Sequence, residues 1–115
     1  MNDITVVGRL TAEPKFSQTK NGEAVANFSV AENIFAGYDE NHKAITTPLY
    51  HNVVAFGPAA EFMQKNKMKG REYEIKGEMI PNNYTNKNGV EVKSYKIKAE
   101  VIKNGRKPAS QKKAS

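Results

Sequence analysis

The side chains that could support acid–base or metal chemistry are few. The chain has two histidines and no cysteine, which excludes disulfides, thiol catalysis and cysteine-ligated metals. His51, on a predicted strand, could act as a general base, and Asp39, Glu40 and His42 could ligate a cation, but a packed strand histidine and a solvated loop are the commoner roles. Glycine-rich phosphate loops and the nucleophile elbow are missing. The sequence therefore predicts no enzyme, no metal and no cofactor.

The ten aromatic side chains, five Phe and five Tyr, include core residues and residues that fit a core role less well. Four fall on apolar faces and are predicted core residues: Phe28, Phe62, Tyr73 and Tyr95. Tyr50 and Phe56 instead share one face of a predicted strand with Asn52, while the opposite face carries smaller residues. Rings held outward in this way can form a platform for stacked nucleobases or a contact between subunits. The residues alone leave both alternatives open.

Three further aromatics, Phe35, Tyr38 and Tyr84, lie in polar stretches where little core is available. Binding of unpaired nucleic acid needs such rings, because stacking contributes about 1–3 kcal/mol per base, and it needs cations that follow the phosphates. The candidate cations are Arg9, Lys15, Lys20, Lys43, Lys69, Lys87 and Lys93. The coincidence of exposed rings with basic loops favours a nucleic-acid partner.

The positive charge is unevenly distributed. The net charge is +6, but the last thirteen residues carry five of the basic side chains and no acid, so the rest of the chain is nearly neutral. Residues 105–115 lack periodicity and large apolar residues, which predicts a basic disordered tail after a single domain over residues 1–104. Neither a membrane-spanning run nor a signal peptide is present in the sequence, so we expect a cytoplasmic protein without membrane contact.

Alternation of apolar and polar residues predicts five strands, over residues 4–10, 25–30, 46–56, 72–79 and 95–101. After the third strand, Gly57-Pro58 changes the period, and Ala59, Phe62 and Met63 trace one face of a helix. Residues 82–92 predict a two-stranded arm that turns at residues 87–89. This order is typical of an all-β, five-stranded Greek-key OB barrel with a helix between strands three and four. Another small α+β sheet is the alternative.

Short motifs occur along the chain in a fixed order. They include Gly8-Arg9-Leu10-Thr11, Val25-Ala26-Asn27-Phe28, Val53-Val54-Ala55-Phe56-Gly57, Ile75-Lys76-Gly77-Glu78 and Tyr84-Thr85. With this ordered set, which covers residues 2 to about 104, the chain resembles the bacterial-type single-stranded DNA-binding proteins, OB-fold proteins that coat unwound strands. No single motif is specific, but the set together is.

The resemblance implies roles by position. Tyr50, Phe56 and Tyr84 fall where relatives carry base-stacking aromatics, Phe35 falls near another such position, and Arg9 occupies a position that is frequently polar or basic. The implied function is binding of single-stranded DNA with little sequence preference during replication, recombination or repair. The implied assembly is a homotetramer that pairs through the first strand. An OB-fold assembly module, with the strand-three aromatics in a subunit or partner interface, is the alternative function.

The end of the chain departs from that pattern. Relatives usually finish in an acidic tail that recruits replication and repair enzymes, whereas this sequence finishes in Lys-Pro-Ala-Ser-Gln-Lys-Lys-Ala-Ser. We therefore expect no such recruitment, and we expect the basic tail to add phosphate contacts. The short length and basic tail resemble phage- or plasmid-borne versions.

Overall fold

Eight strands and one helix make up residues 3–108, the part of the chain that the computed structural model describes. In chain order they are β1 (Ile4–Leu10), β2 (Lys15–Gln18), β3 (Ala24–Tyr38), β4 (Ala44–Phe56), α1 (Pro58–Asn66), β5 (Glu72–Pro81), β6 (Tyr84–Thr85), β7 (Glu91–Val92) and β8 (Tyr95–Asn104). The predicted strands, helix and two-stranded arm are all present, whereas β2 was not predicted. Among these residues no helix is both long and apolar enough to cross a membrane.

Five strands close a barrel in the order β1, β5, β8, β4 and β3, with β3 pairing back to β1. Neighbours are antiparallel except β4 and β8, which run parallel at residues 53–55. β2 pairs with β3 beyond the end of β1, so that Lys15 lies opposite Asn27. This is the predicted OB fold, and the alternative of another small α+β sheet is excluded.

The barrel interior is filled by alternate side chains of each strand. Val30, Val53, Ile75 and Ile97 are almost completely buried, and α1 adds Met63 to the same core. α1 begins at Pro58. Proline has no N–H, but the N–H groups at the start of a helix have no carbonyl partner within it, so no helical hydrogen bond is lost.

Tyr73 connects the end of α1 to β5. Its ring is fully buried, as predicted, and its hydroxyl donates to the Asn66 carbonyl oxygen at 2.5 Å. Burial raises the pKa of this hydroxyl above the ordinary value of 10.0, since the charged form loses its hydration. The phenol is therefore a neutral structural donor.

A bulge in β8, where Glu100 is the extra residue, changes which residues of that strand face inward. The pairing of β5 with β8 shifts between Lys76 and Gly77, and a Cβ at Gly77 would lie 2.1 Å from the Lys98 carbonyl oxygen. Beyond the bulge Ile102 is buried and Val101 is exposed, although regular alternation along the predicted strand 95–101 places Val101 inward with Ile97 and Ala99. The prediction of a core role for Tyr95 is also wrong, because this residue opens β8 and is 60% exposed.

β3 and β4 continue past the barrel as a hairpin, which we call the extension (residues 32–38 and 44–50). These residues pair only with each other among the described strands and are mostly exposed. The polar residues 37–44 predict a loop, but in the structure the loop is only residues 39–43, where Asp39 Oδ1 accepts from the backbone N–H groups of Asn41 and Lys43 in a tight turn. Phe35 and Tyr38 therefore lie on a strand rather than in a loop.

The first residues of the predicted tail are held by β5. The backbone N–H of Gly105 donates to the Glu72 carbonyl at 2.7 Å, and the Glu72 N–H donates to the Arg106 carbonyl at 2.8 Å. Residues 109–115, which carry most of the predicted tail, lie outside the described residues.

Candidate nucleic-acid interface

One face of the paired strands β3 and β4 points away from the barrel core. Because Val53 and Ala55 are buried in the core, the alternate residues of β4 lie on the opposite side. We call this side the outer face; in the barrel part of the ladder it carries Tyr50, Asn52, Val54 and Phe56 of β4, opposite Ala31, Ser29, Asn27 and Val25 of β3. Tyr50 is 64% exposed and Phe56 is half-buried. The two rings thus share an outward face, as strand alternation predicted.

Two more rings lie on the outer face: Phe35 by regular alternation and Tyr38 because of a β-bulge. β3 and β4 pair regularly as far as Phe35, and the pairing resumes at Gly37, so that Ala36 is the extra residue. Because the extra residue shifts the alternation by one, Tyr38 lies on the same side as Phe35. The two rings meet edge to face, with centroids 5.2 Å apart and planes at 70°, and they are 57% and 68% exposed.

Two lysines of β8 lie beside these rings. The parallel pairing of β4 with β8 sets Lys98 next to Val54 on the outer face, and Lys96 is on the same side of β8. Lys98 Nζ lies 5.7 Å from the centroid of the Phe56 ring, which is a cation–π contact. Neither lysine is among the cations that the sequence predicted for the binding site.

The predicted cations are dispersed. Lys15 lines a groove on the outer face, and Lys93 lines a second groove, between β4 and β8, together with Tyr50 and Tyr95. The remaining four predicted lysines are exposed in four different loops: Lys20, Lys43, Lys69 and Lys87. The structure therefore places two of the six predicted lysines in grooves along β4, and of these Lys93 shares its groove with Tyr50.

Arg9 has a partner within the protein. It lies opposite Ala31 in the pairing of β1 with β3, and its Nη1 donates to the Gly70 carbonyl at 2.9 Å. The Gly70 N–H in turn donates to the Leu10 carbonyl at 2.8 Å. The Arg9 side chain thus holds the turn that follows α1 against β1 by a hydrogen bond, which is a structural role.

Tyr84 lies on β6, in the arm that joins β5 to β8, and is 55% exposed opposite Val92. Hydrogen bonds from Asn82 N–H to the Ser94 carbonyl and from Ser94 N–H to Asn83 Oδ1 hold the base of this arm. The ring is therefore presented by the arm and not by the barrel, as the sequence indicated.

Two of the four side chains considered for catalysis or metal binding, His51 and Asp39, have structural contacts. His51 Nε2 lies 3.0 Å from Glu32 Oε1 in a partly buried pair. The Asp39 carboxylate is engaged by the turn described above. Within residues 3–108 no three histidine or carboxylate side chains gather in an arrangement that could hold a metal ion.

Comparison with known proteins places this geometry in a family. The model of the single-strand binding protein family matches residues 1–104. Proteins named single-stranded DNA-binding protein from Borreliella burgdorferi and Neisseria meningitidis serogroup A are 32% and 31% identical over 69% and 76% of this chain. These matches cover 52% and 49% of the two relatives, so the chain spans about half their length.

A solved structure shares the fold. The structure described as Plasmodium falciparum SSB in complex with ssDNA superposes with a TM-score of 0.77, covering 91% of this chain and 95% of that chain at 21% identity. Together with the family match, this similarity identifies the barrel as an OB fold of the same kind. The chain belongs to the single-strand binding protein family.

Proposed function

We propose that this chain binds single-stranded DNA with little sequence preference and holds unwound strands open during replication, recombination or repair. The observation that carries the proposal is the outer face, where Phe35, Tyr38, Tyr50 and Phe56 lie on one side of a sheet next to Lys96 and Lys98. Every base has a face that can stack on a ring, and lysines contact phosphates whatever the sequence. Such a surface binds at equilibrium and performs no catalysis.

The comparisons support the same ligand. The relatives carry the name single-stranded DNA-binding protein, and the structural neighbour is described as a complex with ssDNA. Tyr84 on its arm supplies a fifth ring, with Lys87 and Lys93 on the same connection between β5 and β8. We assign residues 1–104 to the DNA-binding domain and the basic residues beyond it to additional phosphate contacts.

We further propose a homo-oligomer, with a tetramer expected from the family. Residues 4–8 of β1 pair with β5 on one side, and no other described strand pairs with their remaining edge. An edge of this kind can pair with the same edge of a second copy around a two-fold axis. Val7 and Val101 add exposed apolar area on the outside of β1 and β8.

A second candidate, an assembly module without a nucleic-acid ligand, is favoured by the apolar side chains on the opposite side of the extension. Ile34, Ile45 and Leu49 are exposed there, on the side away from Tyr50. In this alternative the outer aromatics would also contact protein.

Tyrosine fluorescence distinguishes the two candidates. Titration with oligo-dT should quench the emission because bases stack on the rings, whereas duplex of the same sequence composition should quench far less. Repeating the titration at two salt concentrations should show weaker binding at high salt. Light scattering on the same samples gives the oligomeric mass. A full-length protein that oligomerises but shows no quenching with any single strand would overturn DNA binding and support the assembly module.

A further inference from the structure

The groove that contains Lys15 has an unusual share of carboxamide side chains. It measures about 430 Å³, within the range of about 300–1,000 Å³ typical of small-molecule sites. It runs across the outer face from the segment around β2 to the base of the β6–β7 arm. Its lining includes these polar and basic side chains: Lys15, Asn27, Ser29, Asn52, Asn82 and Lys96.

The position of this groove relates it to the aromatic residues. Asn52 lies between Tyr50 and Phe56 on the same side of β4, two residues from the first and four from the second. Residues 50 and 56 are roughly 20 Å apart along an extended strand. A strand of nucleic acid that stacks on both rings therefore has to pass over Asn52.

The three carboxamides are available to a ligand. No side-chain hydrogen bond joins Asn27, Asn52 or Asn82 to any other residue of the described chain. Glu13, the acid in the groove, is paired with Lys67, so its charge is partly compensated. The groove thus presents free amides between two lysines.

The chemistry of a carboxamide suits a nucleobase of any type. It sets a donor beside an acceptor, and the pairing edge of each of the four bases does the same. Rotating the amide by half a turn exchanges its oxygen and nitrogen. One asparagine can therefore form two hydrogen bonds with any base, which supplies polar contacts without selecting a sequence.

We propose that this groove is a nucleotide subsite in which Asn52, supported by Asn27 and Asn82, hydrogen-bonds the edge of a base without discriminating among bases, while Lys15 and Lys96 contact the neighbouring phosphates. This inference rests on the proposed binding of single-stranded DNA. It adds base-edge contacts to the stacking rings and explains why amides rather than further lysines occupy the middle of the face.

The variant Asn52→Asp tests the subsite, because a carboxylate accepts hydrogen bonds and does not donate them. It accepts from the amino group of cytosine, whereas the one donor on the thymine edge, N3–H, is flanked by two carbonyl oxygens that repel the carboxylate. We expect the ratio of oligo-dC to oligo-dT affinity, measured by fluorescence anisotropy at mildly alkaline pH, to rise by at least about fivefold over wild type. Asn52→Ala should weaken both oligonucleotides without changing the ratio.

Asn88→Asp is the matched control, since it makes the same charge change on the exposed turn of the arm. It should lower both affinities and leave the ratio at the wild-type value. Asn27→Asp repeats the test within the groove if circular dichroism shows that Asn52→Asp does not fold. An unchanged ratio in a folded groove variant overturns the subsite. Failure of the wild-type protein to bind either oligonucleotide overturns instead the proposed function.

Discussion

At the scale of single residues, the aromatic side chains differ in how much of each ring remains available. Tyr73 and Phe28 are buried in the core and have no face to offer a base. Phe56 is half-buried, and Lys98 lies over its ring, so a base has to use the remaining surface or displace the ammonium group. Tyr50 has neither restriction. Among the rings of β4, Tyr50 is therefore expected to contribute most to stacking.

Replacing Tyr50 with alanine should weaken binding of oligo-dT by about 1–3 kcal/mol, the usual contribution of one stacked base. The free energy of unfolding should change little, because the ring is mostly exposed. Ile45→Ala is the control, since Ile45 lies on the opposite side of the same extension and should leave affinity unchanged. Equal losses in both variants would show that the extension as a whole, and not the ring, determines binding.

The buried phenol of Tyr73 makes stability depend on alkaline pH. Its folded-state pKa is raised above 10.0, so the folded state binds the proton more tightly than the unfolded state. The corresponding stabilisation is complete below pH 10.0 and is lost as the pH rises through the folded-state pKa. Tyr73→Phe cannot ionise and lacks this dependence, although it also loses the hydrogen bond to Asn66, which typically contributes about 0.5–1.5 kcal/mol. Urea unfolding should show that the difference in free energy of unfolding between wild type and Tyr73→Phe narrows as the pH rises through this range. A difference that stays constant would mean that the phenol does not contribute in this way.

At the scale of the elements, Gly77, which lies on β5 beside the bulge of β8, lets the two strands approach closely in the barrel wall. A methyl group there would meet the Lys98 backbone, which cannot move without disturbing the ladder. Gly77→Ala should therefore lower the free energy of unfolding by about 1–3 kcal/mol, the usual cost of overpacking, as measured by urea unfolding. The neighbouring exposed substitution Lys76→Ala should stay within about 0.5 kcal/mol of wild type. If Gly77→Ala unfolds at the same urea concentration as wild type, β5 and β8 can move apart there with little loss of stability.

Local alternation accounts for what the sequence could predict about the site. The outward positions of Tyr50 and Phe56 follow from the buried Val53 and Ala55 between them, because each strand residue fixes the side of the next. Tyr38 could not be assigned to the same face, since the bulge at Ala36 shifts the alternation and leaves no clear mark in the sequence.

The contribution of β8 depends on contacts that are distant in sequence. Lys96 and Lys98 lie on the outer face, with Lys98 beside Phe56, because β8 pairs in parallel with β4. Alternation within one strand carries no information about its neighbour. The fold could be predicted from the order of the strands and the helix, whereas the full set of basic residues at the site required the closed barrel.

At the scale of the whole molecule, positive charge is concentrated near one end of the chain and not in the domain. Binding that releases counterions from phosphates weakens with salt, with a log–log slope of about −0.7 per phosphate neutralised on a single strand. The outer face offers Lys15, Lys96 and Lys98, and the residues after Arg106 add three more lysines. The salt dependence of the full chain should therefore exceed that of its barrel.

Removing residues 107–115 tests this division directly. The truncation keeps Gly105 and Arg106, whose hydrogen bonds to Glu72 extend the edge of β5, so the thermal unfolding midpoint should be unchanged. Loss of Lys107, Lys112 and Lys113 should make the log–log slope for oligo-dT shallower by up to about 2, given about 0.7 per phosphate contact. A full-length variant with these three lysines changed to glutamine should behave like the truncation, because the effect comes from charge and not from chain length. An unchanged slope in both proteins would confine the phosphate contacts to the barrel and its arm.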